Sequence, residues 1–401
     1  MAVTWVCLWI CLQFCDIISV DWGKDGMKTI VKFVKKEAVL CISLLLALIS
    51  MAFVPPDKEY IRYIDFHTLA VLLCLMVIMA GLRSLGIFTV IGGWLLGKTH
   101  SVRSLAMVMV LLCFGFSMVI TNDVALIVFV PFAIDVLVMA GLEDCLVRVI
   151  VLQTIAANLG SMLTPIGNPQ NLYLYSLSGM GLGSFITLML PYTLLSFIGL
   201  LAACAILFRG KGIDVKVWSG HTLAASEKRE TAVYLLLFLA AVASVARIIS
   251  VYAAGAVVLA VIFLMDRRML LKADYALLLT FVFLFVFIGN MKRIPEISLW
   301  LQSAIDGREM IVSVAASQVI SNVPAAILLS GFTDNLPALI AGTNLGGLGT
   351  IIASMASLIS FKFYGTTADR RNTAYLGVFT LLNLVFLAAL LLLWHVIQWC
   401  R

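Results

Sequence analysis

The chain has 401 residues, 63% hydrophobic and only 12% charged, with a mean hydropathy of +1.10. Soluble domains carry about 25% charged residues, so a soluble globular protein is excluded. Apolar runs long enough to cross a bilayer (about 20 residues) recur along the chain and exclude a barrel of short alternating strands, and the formal net charge of +6 reads as membrane topology rather than nucleic-acid binding.

Residues 3–20 are an apolar run followed by lysines and read as a first span. A signal peptide would need a basic start and a small-residue cleavage site, and neither is evident. Met27 opens a basic amphipathic stretch, MKTIVKFVKKEAV, so residues 1–26 are either a first span or an N-terminal extension upstream of the native start. Further spans are expected near 37–54 and 65–82. The run 105–140 is too long for one crossing and carries a polar tip near Thr121.

The stretch 145–178 contains SMLTPIGNPQN (161–171) inside a region, Val149 to Phe208, with no Asp, Glu, Lys or Arg. Pro165 and Pro169 remove backbone donors, and Gly160 and Gly167 permit close backbone approach. Asn168, Gln170 and Asn171 add amides. This is a helix broken at membrane depth. Spans follow near 185–208, 231–249, 252–265 and 274–290, with 209–230 as the one sizeable polar linker. The run 309–334 has a second polar tip, and 335–360 and 374–395 complete the chain. Non-helical backbone at that depth is tolerated only where protein or water covers it. The two tipped segments are therefore expected to be re-entrant hairpins.

Charge supports that layout. With residues 21–36 in the cytoplasm, 20 of the 27 Lys and Arg fall on the cytoplasmic side and 7 on the other. This agrees with the positive-inside rule. Had each hairpin been a single crossing, everything after it would be inverted.

The nine cysteines form no CxxC, and most lie in apolar runs, where they act as small hydrophobes. Cys7, Cys11 and Cys15 share a helical face but have no His or acidic companion, so no metal site is read there. The four histidines are scattered. No His, Cys or acidic cluster suggests an enzyme, and no GxxxxGK[ST] suggests a nucleotide.

The halves resemble one another. TNDVALIVFVP (121–131) aligns with SNVPAAILLSG (321–331), matching Thr121 to Ser321 and Asn122 to Asn322. AANLGSMLTPIGN (156–168) aligns with GTNLGGLGTIIAS (342–354), matching Asn158 to Asn344, Gly160 to Gly346 and Thr164 to Thr350. The expected fold is an all-α polytopic membrane protein of about 10–11 transmembrane helices. It would comprise two inverted repeats, 27–208 and 231–401, each with a re-entrant hairpin and a broken helix. Broken helices of inverted repeats meeting at the midplane are a transporter architecture. A break exposes N–H groups that attract anions and C=O groups that, with Asn and Thr or Ser oxygens, suit a hard cation such as Na⁺.

These tips and breaks resemble the ion transporter superfamily, and its citrate-transporter-like branch in particular, over about residues 30–395. That group includes sodium-coupled di- and tricarboxylate carriers, arsenite efflux permeases and sodium/proton antiporters. The resemblance implies a multi-pass protein of the cell (inner or plasma) membrane that works by an elevator motion. It implies that Asn122 and Asn322 touch substrate or ion, and that Gly160, Gly167, Asn168, Thr343 and Asn344 complete the cages. Na⁺ is then expected near Asn122, Asp123 and Gly167, and near Asn322 and Asn344. Pro165, Pro169, Asn171, Val323, Pro324, Gly346 and Thr350 belong to the same tips and breaks.

In the carboxylate carriers of this group each tip reads Ser-Asn-Thr. Here the tips are Thr121-Asn122-Asp123 and Ser321-Asn322-Val323. Asp123 is read as a Na⁺ ligand, a proton carrier or a helix cap. An anion beside an ionised Asp123 would be repelled, so anion transport needs that charge neutralised by a cation or a proton. The expected function is secondary active transport of a small anion, a carboxylate or inorganic oxyanion, coupled to Na⁺ or H⁺ with no other cofactor. A Na⁺/H⁺ antiporter and an arsenite-type permease are the alternatives. The sequence carries no interface signature that would establish a homodimer.

Overall fold

The computed structural model describes residues 37–88, 90–91, 99–208, 225–367 and 371–399. The expected first span, the 1–26 segment, Cys7, Cys11, Cys15 and the linker residues 209–224 lie outside these. Every regular element among the described residues is helical. That follows from the composition: long apolar segments without water must satisfy their backbone internally.

Among the described residues, six helices are long and apolar enough to cross a membrane. They occupy Phe66–Ser84, Asn122–Met139, Glu143–Ser161, Leu182–Leu207, Tyr275–Lys292 and Asn372–Trp399. The protein is a polytopic helical membrane protein.

Packing divides the chain into two compact units. One comprises residues 37–65 with Ala273–Ser298. In it, α1 (Ala38–Phe53) and α2 (Tyr60–Tyr63) pack on α11 (Tyr275–Lys292). Asn290 of α11 donates to Ser50 Oγ and to Tyr60 Oη, each at 2.9 Å. Arg293 bonds Asp57 at 2.7 Å and Tyr63 at 3.0 Å.

The other unit holds the tips and breaks. Its helices begin with α3 (Phe66–Ser84) and the first hairpin, α4 (Val102–Ser117) and α5 (Asn122–Met139). Ser101 and Ser104 form a capping box that starts α4. The first broken helix is α6 (Leu146–Ser161) and α7 (Pro169–Ser178). Asn168 caps α7 and Pro169 occupies its first turn, where a missing N–H costs nothing. Then come α8 (Leu182–Leu207), α9 (Ala225–Val245) and α10 (Val251–Asp266). Residues 225–230, expected to be linker, are already helical in α9.

After the short α12 (Pro295–Ile305), which the span pattern did not anticipate, the second half repeats the order. Its hairpin is α13 (Glu309–Ile320) and α14 (Asn322–Leu329). Its broken helix is α15 (Leu336–Leu345) and α16 (Met355–Tyr364), and α17 (Asn372–Trp399) ends the fold. Helix α6 lies at the centre of this unit, packed on α4, α5, α8, α16 and α17. Every residue of α6 from Val149 to Ser161 is buried. Its buried polar residues, Gln153, Thr154, Asn158 and Ser161, therefore find their partners within the protein.

A candidate transport site where two broken helices meet

Each hairpin tip is pinned to the broken helix of its own half by the same bonds. The Asn122 N–H donates to Gly167 O at 3.0 Å, and the Asn322 N–H to Ala353 O at 2.9 Å. The Thr164 hydroxyl donates to Met118 O, and the Thr350 hydroxyl to Gln318 O. The turn inside each break closes alike, Gly167 N–H to Thr164 O and Ala353 N–H to Thr350 O. These partners sit at equivalent positions of the sequence alignment. Two short identities in sequence are thus two copies of one hydrogen-bonded knot.

The glycines explain how the elements approach so closely. A Cβ on Gly160 would strike Phe114 O and Ser117 Oγ, whereas one on Gly346 would strike Ser317 Oγ and Cβ. Ser117 and Ser317 are again equivalent. A Cβ on Gly167 would strike the backbone of Ser161.

The two knots also exchange bonds. Asn158 Oδ1 accepts from Asn122 Nδ2 at 3.1 Å and from Ser354 Oγ at 2.9 Å. Asn158 Nδ2 donates to Gly347 O at 3.4 Å. In the reciprocal position, Asn344 Oδ1 accepts from Asn168 Nδ2 at 3.2 Å, and Asn344 Nδ2 donates to Asn171 Oδ1. Asn158 is equivalent to Asn344, and Ser354 to Asn168. Each half therefore sends its Asn to the helix cap of the other. The Asn322 amide lies over Gly347, 3.0 Å from where a Cβ would be.

Four helix N-termini (α5, α7, α14, α16) and four C-termini (α4, α6, α13, α15) end in this knot. The N-termini carry partial positive charge and the C-termini partial negative charge. Partial positive and partial negative charge thus lie side by side in the knot. Gln170 Oε1 in the first turn of α7 and Ser357 Oγ in the first turn of α16 are buried, and neither has a hydrogen-bond partner among the described residues. Buried polar groups normally find partners, so such orphans mark where water or a ligand belongs.

A citrate transporter family model matches residues 29–341. The chain is 33% identical over 345 residues to inner membrane protein YbiR of Escherichia coli, covering 82% of this chain and 87% of that protein. It is 31% identical over 353 residues to an uncharacterized transporter of Methanocaldococcus jannaschii, covering 88% and 96%. A 46 kDa membrane protein of Mycobacterium leprae is 22% identical over 341 residues, covering 75% and 78%.

The chain belongs to the citrate transporter family.

Within this citrate transporter family chain the expected residues divide into groups. Asn122, Asn158, Gly160, Gly167, Asn168, Asn171, Asn322, Asn344 and Gly346 form the knot itself, and Thr164 and Thr350 tie it to the hairpins. Thr121 sits at the N-cap of α5 without a side-chain cap bond, and Asp123 follows in the first turn, half-buried. Ser321 holds the tip of the second hairpin at φ 72°, a left-handed conformation costly for a residue with a Cβ. Its hydroxyl lies 3.4 Å from both Asn322 Oδ1 and Ala353 O. Pro165, Pro169, Val323 and Pro324 are buried and shape the turns. Thr343 stands apart, because its hydroxyl donates to Leu339 O and Ile340 O of its own helix.

Sequence reasoning passed over Ser161, Ser354, Ser117, Ser317 and Gln318. Ser354 was legible in principle, since the alignment sets it opposite Asn168 and both are N-cap residue types.

Proposed function

We propose that this membrane transporter is a secondary active carrier of a small anion, coupled to Na⁺ or H⁺, in the cell membrane. The observation that carries the reading is the reciprocal pair Asn158–Ser354 and Asn168–Asn344, which draws both tips and both breaks into one polar core. In this reading the halves are inverted repeats and each hairpin is re-entrant.

The anion lies against the N-termini of α5 and α14, where the helix dipoles favour negative charge. Asn122 and Asn322 orient it with their amides. The cation lies against break carbonyls, an all-oxygen donor set of the kind that hard cations take. Asp123 links the two. When ionised it repels the anion, and when neutralised by Na⁺ or H⁺ it admits it, so the anion is not carried without the cation. The knot moves as one body because its parts are cross-bonded, and an elevator motion is the form of alternating access that keeps such a body intact.

Purified protein in proteoliposomes tests this. Uptake of labelled citrate, succinate, phosphate, sulfate and arsenite is measured under an imposed Na⁺ gradient, a pH gradient and neither. Saturable uptake of one anion that needs one gradient is the expected result. Arsenite uptake without either gradient would replace this reading with a neutral-solute permease. The second reading, Na⁺/H⁺ exchange, is favoured by one observation: the first tip carries a carboxylate, Asp123, where the second carries Val323.

A further inference from the structure

An apolar cavity of about 450 Å³ lies between α3 and α9 on one side and α4 on the other. Every residue that lines it is apolar or glycine, among them Leu82 of α3, Leu235 of α9, Gly115 and Phe116 of α4, and Ile120 in the turn after it. Gly115 holds the space open. A Cβ there would meet nothing within 4 Å, although glycine weakens a helix interior. The rim is apolar as well, with Val119 and Leu235 exposed. An apolar cavity does not hold water. At membrane depth the apolar molecule at its mouth is a lipid chain.

The length of the cavity fits such a chain. Its lining on α4 and the following turn runs from Leu111 to Ile120. At about 1.5 Å per residue that is about 13 Å, and one leaflet's share of the hydrocarbon core is about 15 Å. Ile120 directly precedes Thr121 at the hairpin tip. Phe116 on the cavity wall packs on Phe88 at 5.6 Å and on Phe129 of α5 at 5.1 Å, so both arms of the first hairpin border the space.

A cation stands where the head group of that lipid would lie. Arg83 follows Leu82 directly, is exposed, and its guanidinium has no hydrogen bond or ion pair among the described residues. Arg103 and Arg148, by contrast, donate to Phe208 O at 3.0 Å and to Leu207 O at 2.8 Å, at the end of α8. Glu227, Lys228, Arg229 and Glu230 at the start of α9 cancel one another in charge. The positive-inside layout puts Arg83 on the cytoplasmic face, where anionic lipids attract basic residues. We propose that this cavity binds one acyl chain of an anionic phospholipid of the cytoplasmic leaflet, with its phosphate on Arg83, and that the lipid supports the first hairpin from the membrane side. The proposal does not depend on which solute the protein carries.

The test titrates the full-length protein in detergent with palmitoyl-oleoyl phosphatidylglycerol, or with phosphatidylcholine of the same chains, and reads bound lipid by native mass spectrometry. The wild-type protein should bind phosphatidylglycerol about fivefold more tightly, the worth of one basic residue beside an anionic head group. Arg83→Gln should bring phosphatidylglycerol down to the phosphatidylcholine level and leave phosphatidylcholine unchanged. Gly115→Leu should weaken both lipids, because its side chain takes the place of the acyl chain. Thermal unfolding gives a second readout: phosphatidylglycerol should raise the wild-type unfolding temperature more than phosphatidylcholine does, and Arg83→Gln should lose that difference. Equal affinity of the wild-type protein for the two lipids would overturn the proposal, and so would a preference that survives Arg83→Gln. Binding of both lipids untouched by Gly115→Leu would put the chain elsewhere and overturn it too. Arg83 is exposed, so its variant decides the head-group claim whether or not Gly115→Leu folds.

Discussion

Ser354 Oγ donates to Asn158 Oδ1 at 2.9 Å across 196 residues of sequence. Asn158 stands near the end of α6 in the first half. Ser354 caps α16 in the second. The same oxygen accepts from Asn122 at the first hairpin tip. One side-chain carbonyl thus gathers a tip and both broken helices, and its physical consequences can be measured.

Asn158→Ala removes three bonds at once and leaves Asn122 Nδ2 and Gly347 O buried without them. An orphaned buried polar group costs about 1–3 kcal/mol. The variant should lose thermal stability in detergent and lose transport by at least about tenfold. A double-mutant cycle with Ser354→Ala should give a coupling energy of about 0.5–3 kcal/mol, the range for directly bonded residues. Additive effects would show that the two side chains do not cooperate.

Gly160 and Gly346 are equivalent, yet their alanine variants should differ in rescue. At Gly346 the nearest clash is with the Ser317 side chain. Gly346→Ala should therefore be partly restored by Ser317→Gly. At Gly160 the obstacle includes the Phe114 carbonyl, which no side-chain change removes. Gly160→Ala with Ser117→Gly should stay destabilised by about 1–3 kcal/mol, as for other overpacked sites. Thermal unfolding of the four proteins settles the comparison.

The Arg293 guanidinium bonded to Asp57 holds its carboxyl below the ordinary value of 3.8. A carboxyl depressed in the folded state stabilises at pH values above its unfolded pKa. That contribution is lost as pH falls through the folded value. Asp57→Asn should flatten the acid limb of a stability–pH curve below about pH 4, the range of an unperturbed Asp. Because the pair is solvent-exposed, transport at neutral pH should be almost unchanged. A variant that lost stability mainly between pH 5 and 8 would contradict this assignment.

The fold was legible wherever apolar length and helix breakers spoke together. The Pro and Gly of 160–169 predicted the interruption that separates α6 from α7, and the polar runs at Thr121 and Ser321 predicted the turns within each hairpin. Helix α12 was not legible, because Pro295–Ile305 is too short and too polar to read as a span. Its start after Ile294 resembles a loop. Within the site, the asparagines and glycines stood out because they are unusual in apolar helices. The serines did not, since a buried Ser often bonds its own helix, as Ser313 does with Glu309 O and Met310 O. Gln318 was missed for a different reason. Comparison of the halves selects what they share, and Gln318 faces Met118.

Asp123 is the proposed coupling residue, and a charge-movement measurement on it is the most direct test. Wild-type and Asp123→Asn proteins in proteoliposomes would receive rapid jumps of one transported anion, with and without Na⁺ and at two pH values. Coupled anion transport predicts a saturable wild-type current that needs both the anion and a cation. It predicts that Asp123→Asn still binds the anion while its cation dependence is lost. A wild-type response to Na⁺ or pH jumps with every anion absent, abolished by Asp123→Asn, would contradict coupled anion transport and make the protein a cation/proton exchanger.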